Sequence, residues 1–174
     1  MTRTSLVLLA AGGSFLLLAG AFLFQALGWA PCAMCLWQRW PHAAAVLIGA
    51  LALALPGRLL PLLGALAAAT TAGIAVFHSG VERKWWQGPA SCTGSGEDLG
   101  SLTGGDLLPG GSEAPALVLC DSFTPFLFGL TMANWNALFS ALLVLVWLKA
   151  ARAAAWAAAQ LPPTPVPPDP PPPP

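Results

Sequence analysis

The chain has 174 residues, of which 56% are hydrophobic and 8% are charged, and its seven basic and seven acidic side chains cancel. A soluble domain carries about a quarter charged residues, so this composition argues against a soluble enzyme, and the lack of a basic surplus argues against a nucleic-acid-binding protein. The apolar content also excludes a disordered chain. We therefore expect a small integral membrane protein with a single domain.

Four apolar segments predict helices that cross a bilayer, whose core needs about 20 helical residues. The predicted helices cover residues of about 6–27, 36–55, 59–80 and 133–150. This pattern predicts an all-α fold, a four-helix transmembrane bundle within residues 1–160, with two outer loops at about 28–40 and 79–132. We expect the first helix to be retained rather than cleaved as a signal peptide, because no clear processing site precedes Cys32.

Two segments outside the predicted helices have an unusual composition. Residues 88–115 are rich in Gly, Ser and Pro and carry most of the acidic side chains. They predict a long mobile outer loop, and such loops are commonly functional. Residues 161–174 are dominated by proline, which predicts a disordered or polyproline II tail in the cytoplasm.

Both termini are predicted to lie in the cytoplasm, because four spans return the chain to its starting side and positive charges favour that side. The basic residues at this side are Arg3, Arg58, Lys149 and Arg152. Tryptophan prefers the headgroup zone of a membrane, and most of the tryptophans fall at the predicted outer helix ends. Trp147 and Trp156 are expected at the inner boundary.

All four cysteines fall in the two predicted outer loops. Cys32 and Cys35 form a CxxC motif, a spacing typical of redox-active dithiols. A disulfide between Cys92 and Cys120 would close a long loop and contribute about 3.5 kcal/mol of stability in the chain-entropy description. An even number of cysteines on a side that faces an oxidising compartment favours disulfides.

Three other interpretations of these cysteines are less well supported. Attachment of haem c requires a histidine directly after the second cysteine, where this chain has Leu36. A structural zinc site usually has four thiolates or imidazoles at compact spacing, and Cys92 and Cys120 lie too far apart for a zinc knuckle, although a composite site stays open. The interpretation that the cysteines form two inert structural disulfides also remains an alternative. It is less favoured because a disulfide within a CxxC motif closes a very small ring and adds little stability.

Polar side chains near the predicted outer helix ends are candidate functional residues. Arg39 follows Cys35 by four residues, so on a helix the two share a face, and a nearby cation favours the reactive thiolate. An interfacial arginine that reaches lipid phosphate is an equal alternative. His78 is a candidate because polar residues at membrane depth are commonly functional, and His42 is ambiguous.

Three segments resemble motifs of the DsbB family of disulfide bond formation proteins. The first, at residues 31–41, reads PCAMCLWQRWP and resembles the family segment PCxxCxxQRxP. The second, at residues 78–92, reads HSGVERKWWQGPASC and resembles a segment that begins HxGVE and ends in a cysteine. The third, at residues 128–136, reads FGLTMANWN and resembles the stretch before the last helix. The resemblance covers roughly residues 5–150.

This resemblance implies a quinone-dependent disulfide oxidoreductase of the bacterial inner membrane, with its outer loops in the periplasm. Such an enzyme reoxidises a soluble thioredoxin-like protein of the DsbA type and passes two electrons to membrane quinone, either ubiquinone or menaquinone. By position, Cys92 resembles the cysteine that the partner attacks, and Cys120 resembles its pair. Cys32 and Cys35 resemble the pair that reoxidises them.

The resemblance also implies a quinone site. Cys35 would be the thiolate that faces the quinone, Arg39 resembles the arginine of that site, and His78 resembles a histidine near the quinone headgroup. One departure from the family lies between the last two cysteines. There the chain is unusually rich in glycine and acids, and two glycines precede the apolar stretch 114–119, where the family can have a short helix on the membrane.

Rival functions lead to different expectations. A vitamin-K-epoxide-reductase-like enzyme also couples thiols to quinone, but its CxxC motif lies at the start of the last helix, whereas here it precedes the second. A membrane adaptor or assembly factor with purely structural disulfides is the alternative from another class. A transporter is the least favoured, because only His42 and His78 offer polar groups near the membrane.

Overall fold

The computed structural model describes residues 1–89, Cys92 and residues 119–160. Within these residues the chain forms four α-helices: α1 (Arg3–Ala26), α2 (Ala33–Ala54), α3 (Leu59–Glu82) and α4 (Met132–Ala159). Helices α1, α3 and α4 are long and apolar enough to cross a membrane. The predicted all-helical membrane fold is confirmed to that extent, whereas the membrane crossing of α2 and the orientation of the bundle stay predictions. The proline-rich tail and most of the acidic outer loop lie outside the described residues.

Two helix ends lie beyond their predicted positions. Helix α1 begins at Arg3 because Thr2 caps it, with its Oγ1 accepting a hydrogen bond from the backbone N–H of Ser5 at 3.2 Å. Helix α4 continues past residue 150 to Ala159. Its last turns are built mainly from alanine, the strongest helix former.

Helix α2 begins a turn earlier than predicted, so part of the predicted first outer loop is helical. Cys32 occupies the N-cap position, and its Sγ accepts a hydrogen bond from the backbone N–H of Cys35 at 3.1 Å. Pro41 lies inside the helix, which continues through it to Ala54. Cys35 and Arg39 are therefore one turn apart on the same helix.

The helices form a ring in which α1, α2, α3 and α4 each pack against two neighbours, while α1 and α3 contact each other only weakly. Trp147 of α4 lies in the centre of the core with Val7 and Ala68 and is fully buried. Its indole therefore packs inside the bundle rather than on its surface, whereas its place near the inner boundary of the membrane stays a prediction. The Trp147 indole fits against Gly64 of α3 because glycine has no side chain. A Cβ atom at residue 64 would lie only 2.7 Å from the indole.

The outer faces of all four helices carry large apolar side chains. Exposed examples include Leu8, Leu16, Leu51, Leu66, Val76, Leu142 and Leu145. A helix that is apolar on all sides suits a membrane, because its outer face then meets lipid rather than water.

The antiparallel order of the helices gives the bundle two ends. At one end the Arg3 guanidinium donates a hydrogen bond to the backbone oxygen of Leu55 at 2.8 Å, which joins the start of α1 to the end of α2. The start of α2, the end of α3 and the start of α4 meet at the other end. The cysteines lie at this second end.

Candidate functional site

The four cysteines lie next to one another. Cys92 and Cys120 form a disulfide bond with their Cα atoms 4.9 Å apart, whereas Cys32 and Cys35 are free thiols. Cys32, Cys92 and Cys120 are buried in one cluster, and Cys35 packs against it. The fold therefore brings the two cysteine pairs together from distant parts of the chain.

The two thiols of the CxxC motif differ in their surroundings. Cys32 is buried at the N-cap of α2, and Cys35 is only partly buried in the first turn of the helix. The hydrogen bond that Cys32 shares with the Cys35 side chain, together with burial, raises the pKa of the Cys32 thiol. Cys35 is the more accessible of the two sulfurs.

His78 reaches the CxxC motif from α3. Its Nε2 atom lies 3.6 Å from Cys32 Sγ and 3.9 Å from Glu82 Oε1, and its Nδ1 atom lies 3.1 Å from Gln38 Nε2. The ligand atoms of Cys32, Cys35 and His78 all lie within 4.8 Å of one another. The imidazole therefore sits between a thiol and a carboxyl group, with its second nitrogen held by an amide.

Glu82 is a buried side chain that the sequence analysis missed. It closes α3, and its Oε2 accepts a hydrogen bond from the Thr131 hydroxyl at 2.6 Å. This bond ties the end of α3 to the cap of α4 and leaves Oε1 directed to His78. A lone acid at the end of an apolar helix was the available signal, but its partner is distant in the sequence.

A polar network behind His78 links three helices. Asn136 of α4 donates from Nδ2 to Gln38 Oε1 and, at 3.3 Å, to Thr71 Oγ1. Its Oδ1 lies 2.9 Å from His42 Nε2 and accepts a hydrogen bond from the Ser140 hydroxyl at 3.1 Å. Hydrogen bonds between helices in a membrane contribute about 0.6 kcal/mol each, and this set holds α2 at one rotation relative to α3 and α4.

Arg39 makes its contacts with α1. Its guanidinium donates to Gln25 Oε1 at 2.6 Å and to the backbone oxygen of Ala21 at 3.3 Å, and it lies over the Phe22 ring, 4.6 Å from the centroid. Within the described residues it has no hydrogen bond to Cys35. The two side chains nevertheless line one cavity.

This cavity has a volume of about 650 Å³ and opens beside the CxxC motif. Its polar lining includes Cys35, Arg39, His42, His78 and Glu82. Phe24, Trp29 and Phe126 form an edge-to-face group in its wall, with ring centroids 5.2 to 6.0 Å apart. An apolar cavity with a few converging polar groups is the usual form of a small-molecule site.

Comparison with protein families assigns the chain to a known family. The family model described as Disulfide bond formation protein DsbB matches residues 3–150, whereas comparison with curated proteins and with solved structures found no match. The matched region includes all four cysteines, Arg39 and His78, and the resemblance inferred from the sequence motifs is confirmed. With three apolar helices, the match indicates a membrane protein and a disulfide oxidoreductase. This chain belongs to the DsbB family of disulfide bond formation proteins.

Proposed function

We propose that this chain is a quinone-dependent protein-thiol oxidoreductase of the bacterial inner membrane, with its cysteine-bearing end in the periplasm. It reoxidises a thioredoxin-like protein of the DsbA type and passes two electrons to ubiquinone or menaquinone. The observation that carries the proposal is the packing of two cysteine pairs against each other at the edge of one apolar cavity. A protein with purely structural disulfides has no need of a free dithiol beside a cavity.

The first step is thiol–disulfide exchange at the outer pair. A thiolate of the reduced partner attacks Cys92 Sγ, the Cys92–Cys120 bond breaks, and Cys120 leaves as a thiolate. The partner's second thiol then displaces Cys92, so that the partner gains a disulfide and this chain holds two reduced cysteines.

The second exchange restores the outer pair at the expense of the inner one. The Cys120 or Cys92 thiolate attacks a disulfide between Cys32 and Cys35, and a second attack closes the Cys92–Cys120 bond again. The result is an outer disulfide and two inner thiols, which is the pattern in this structure. Contact between the pairs within one cluster supports this transfer, because it requires no large movement of the helices.

The cavity beside Cys35 fits a quinone ring in size and chemistry. Its volume of about 650 Å³ lies within the usual range for ligand sites, about 300–1,000 Å³, and its aromatic wall suits a flat apolar ring. A bound quinone supplies an acceptor for two electrons and two protons. Cys35 would present its sulfur to this space, and the fixed positive charge of Arg39 would stabilise negative charge there.

The test measures quinone reduction by the purified chain supplied with a reduced DsbA-type partner. We expect the wild-type chain to reduce quinone and oxidise the partner in equal amounts, and Cys35→Ser and Cys92→Ser each to lower the rate at least about a hundredfold, because each removes an obligatory sulfur. Gln87→Ala, an exposed change at the cysteine-bearing end that does not line the cavity, is the control and should leave the rate unchanged. Failure of the wild-type chain to reduce quinone would support the alternative of a membrane adaptor with structural disulfides.

A further inference from the structure

We infer that the reduced CxxC pair and His78 form a binding site for a soft divalent metal ion, Zn²⁺ or an ion of similar chemistry, and that metal binding traps the chain in its reduced state. The inhibitory consequence rests on the proposed function, whereas the binding itself does not. The site differs from the zinc interpretation weighed from the sequence, because its third ligand comes from α3 and not from Cys92 or Cys120.

One pair of donor atoms is already spaced as a zinc tetrahedron requires, and the third donor lies near both. With Zn–S bonds of about 2.3 Å and Zn–N bonds of about 2.0 Å, a sulfur and a nitrogen ligand lie about 3.5 Å apart. Cys32 Sγ and His78 Nε2 are 3.6 Å apart, and Cys35 Sγ lies within 4.8 Å of both atoms. Glu82 Oε1 lies 3.9 Å from His78 Nε2 but outside the group of donor atoms within 4.8 Å of one another, so a shift of this carboxylate, or a water molecule, would fill the fourth position.

The surroundings of these donors can adapt to a metal site. Metal-bound histidines usually donate their second ring N–H to a neighbouring acceptor. The Gln38 amide faces His78 Nδ1 through its Nε2 at 3.1 Å, so metal binding at Nε2 requires this amide to turn and present its oxygen to an Nδ1–H. Thr131 holds the second oxygen of Glu82. The lining of the cavity includes Cys32, Cys35, His78 and Glu82, so an ion has a path of entry.

Charge and proton balance favour the reduced form. When Zn²⁺ binds the two thiols, a zinc dithiolate forms and two protons are released. The two negative charges of the thiolates then offset the two positive charges of the ion at a buried site. When Cys32 and Cys35 are joined as a disulfide, both thiolates are lost and the site disappears. An ion bound to both sulfurs removes them from exchange and from oxidation.

The experiment uses Co²⁺ as a spectroscopic probe and Zn²⁺ as its competitor. The purified full-length chain carries the pair Cys92→Ser and Cys120→Ser, so that only Cys32 and Cys35 can supply sulfur. We expect the reduced chain to bind one Co²⁺ with sulfur-to-cobalt charge-transfer absorption and tetrahedral d–d bands, and Zn²⁺ to displace it. The same chain after oxidation with diamide serves as the control that keeps the fold and should bind none.

Two further variants test the third and fourth ligands. We expect His78→Ala to weaken Co²⁺ binding about tenfold or more, and Glu82→Gln to weaken it less while changing the d–d bands. Lack of charge-transfer absorption in the reduced chain would overturn the inference, as would Co²⁺ binding that neither variant alters. Quinone reduction is assayed separately, without metal. If the chain binds metal but does not reduce quinone, the proposed function is wrong and the metal site is still supported.

Discussion

At the scale of single residues, Arg39 shows how a functional side chain is positioned by a helix other than its own. It follows Cys35 by one turn of α2, but its hydrogen bonds and its aromatic contact are made with α1. These contacts hold the guanidinium at the cavity while leaving its charge close to the CxxC motif. A planar group with several donors suits this task better than a flexible ammonium.

We therefore expect Arg39→Lys to raise the KM for quinone about tenfold with a smaller change in kcat, because lysine cannot keep both hydrogen bonds and the stacked position. The matched control is Arg83→Lys, an exposed arginine that hydrogen-bonds Asn134 and does not line the cavity. Steady-state kinetics with varied quinone measure both variants. Equal KM values for the two variants would contradict a role for Arg39 in quinone binding.

At the scale of helices, one glycine allows α3 and α4 to pack closely around the Trp147 indole. The Trp147 indole lies against Gly64, where a Cβ atom would be 2.7 Å from two ring carbons. Small residues let neighbouring helices approach closely, and in a membrane such packing supplies much of the association free energy. A fully buried indole has little room to move away.

Gly64→Ala should lower the free energy of unfolding by about 1–3 kcal/mol, the usual cost of overpacking a core. Gly73→Ala, on an exposed part of the same helix with nothing within 4 Å of its Cβ position, is the control. We expect it to be neutral or to stabilise the chain by up to about 1 kcal/mol, because alanine is the better helix former. Thermal unfolding in detergent compares the two, and an equal effect would show that the indole can move aside.

At the scale of the whole molecule, the bundle has a basic end and a cysteine-bearing end. Arg3, Arg58, Lys149 and Arg152 belong to the end opposite the cysteines, and positive charges favour the cytoplasmic side. This orientation would place the thiols where an oxidising compartment lets disulfides persist.

Two exposed glutamines at opposite ends allow a direct test of orientation. In a chain whose four cysteines are changed to serine, we expect Gln87→Cys to react with a membrane-impermeant maleimide added to intact cells with a permeable outer membrane. Gln160→Cys should react only after the inner membrane is opened, because four crossings place it in the cytoplasm. The reverse pattern of labelling would show that the bundle is inverted.

Composition and local spacing were enough to predict the apolar helices, the CxxC motif near a helix end and, through three motifs, the family. These features depend on residues that are close in the sequence. The start of α2 was predicted too late, because a cysteine is a rare cap and Pro41 is a common helix boundary. The interior place of Trp147 was also missed, because a tryptophan near a helix end usually marks the membrane surface.

Only the tertiary structure decided which side chains meet. His78 beside Cys32, Thr131 bonded to Glu82, Asn136 beside Gln38, and Arg39 bound to α1 are all contacts between distant segments. The physical reason is that these helices are apolar on every side. The sequence therefore does not indicate which face of each helix points into the bundle. That rotation depends on the close packing of glycines and on a few buried hydrogen bonds, whose partners become neighbours only after the helices assemble.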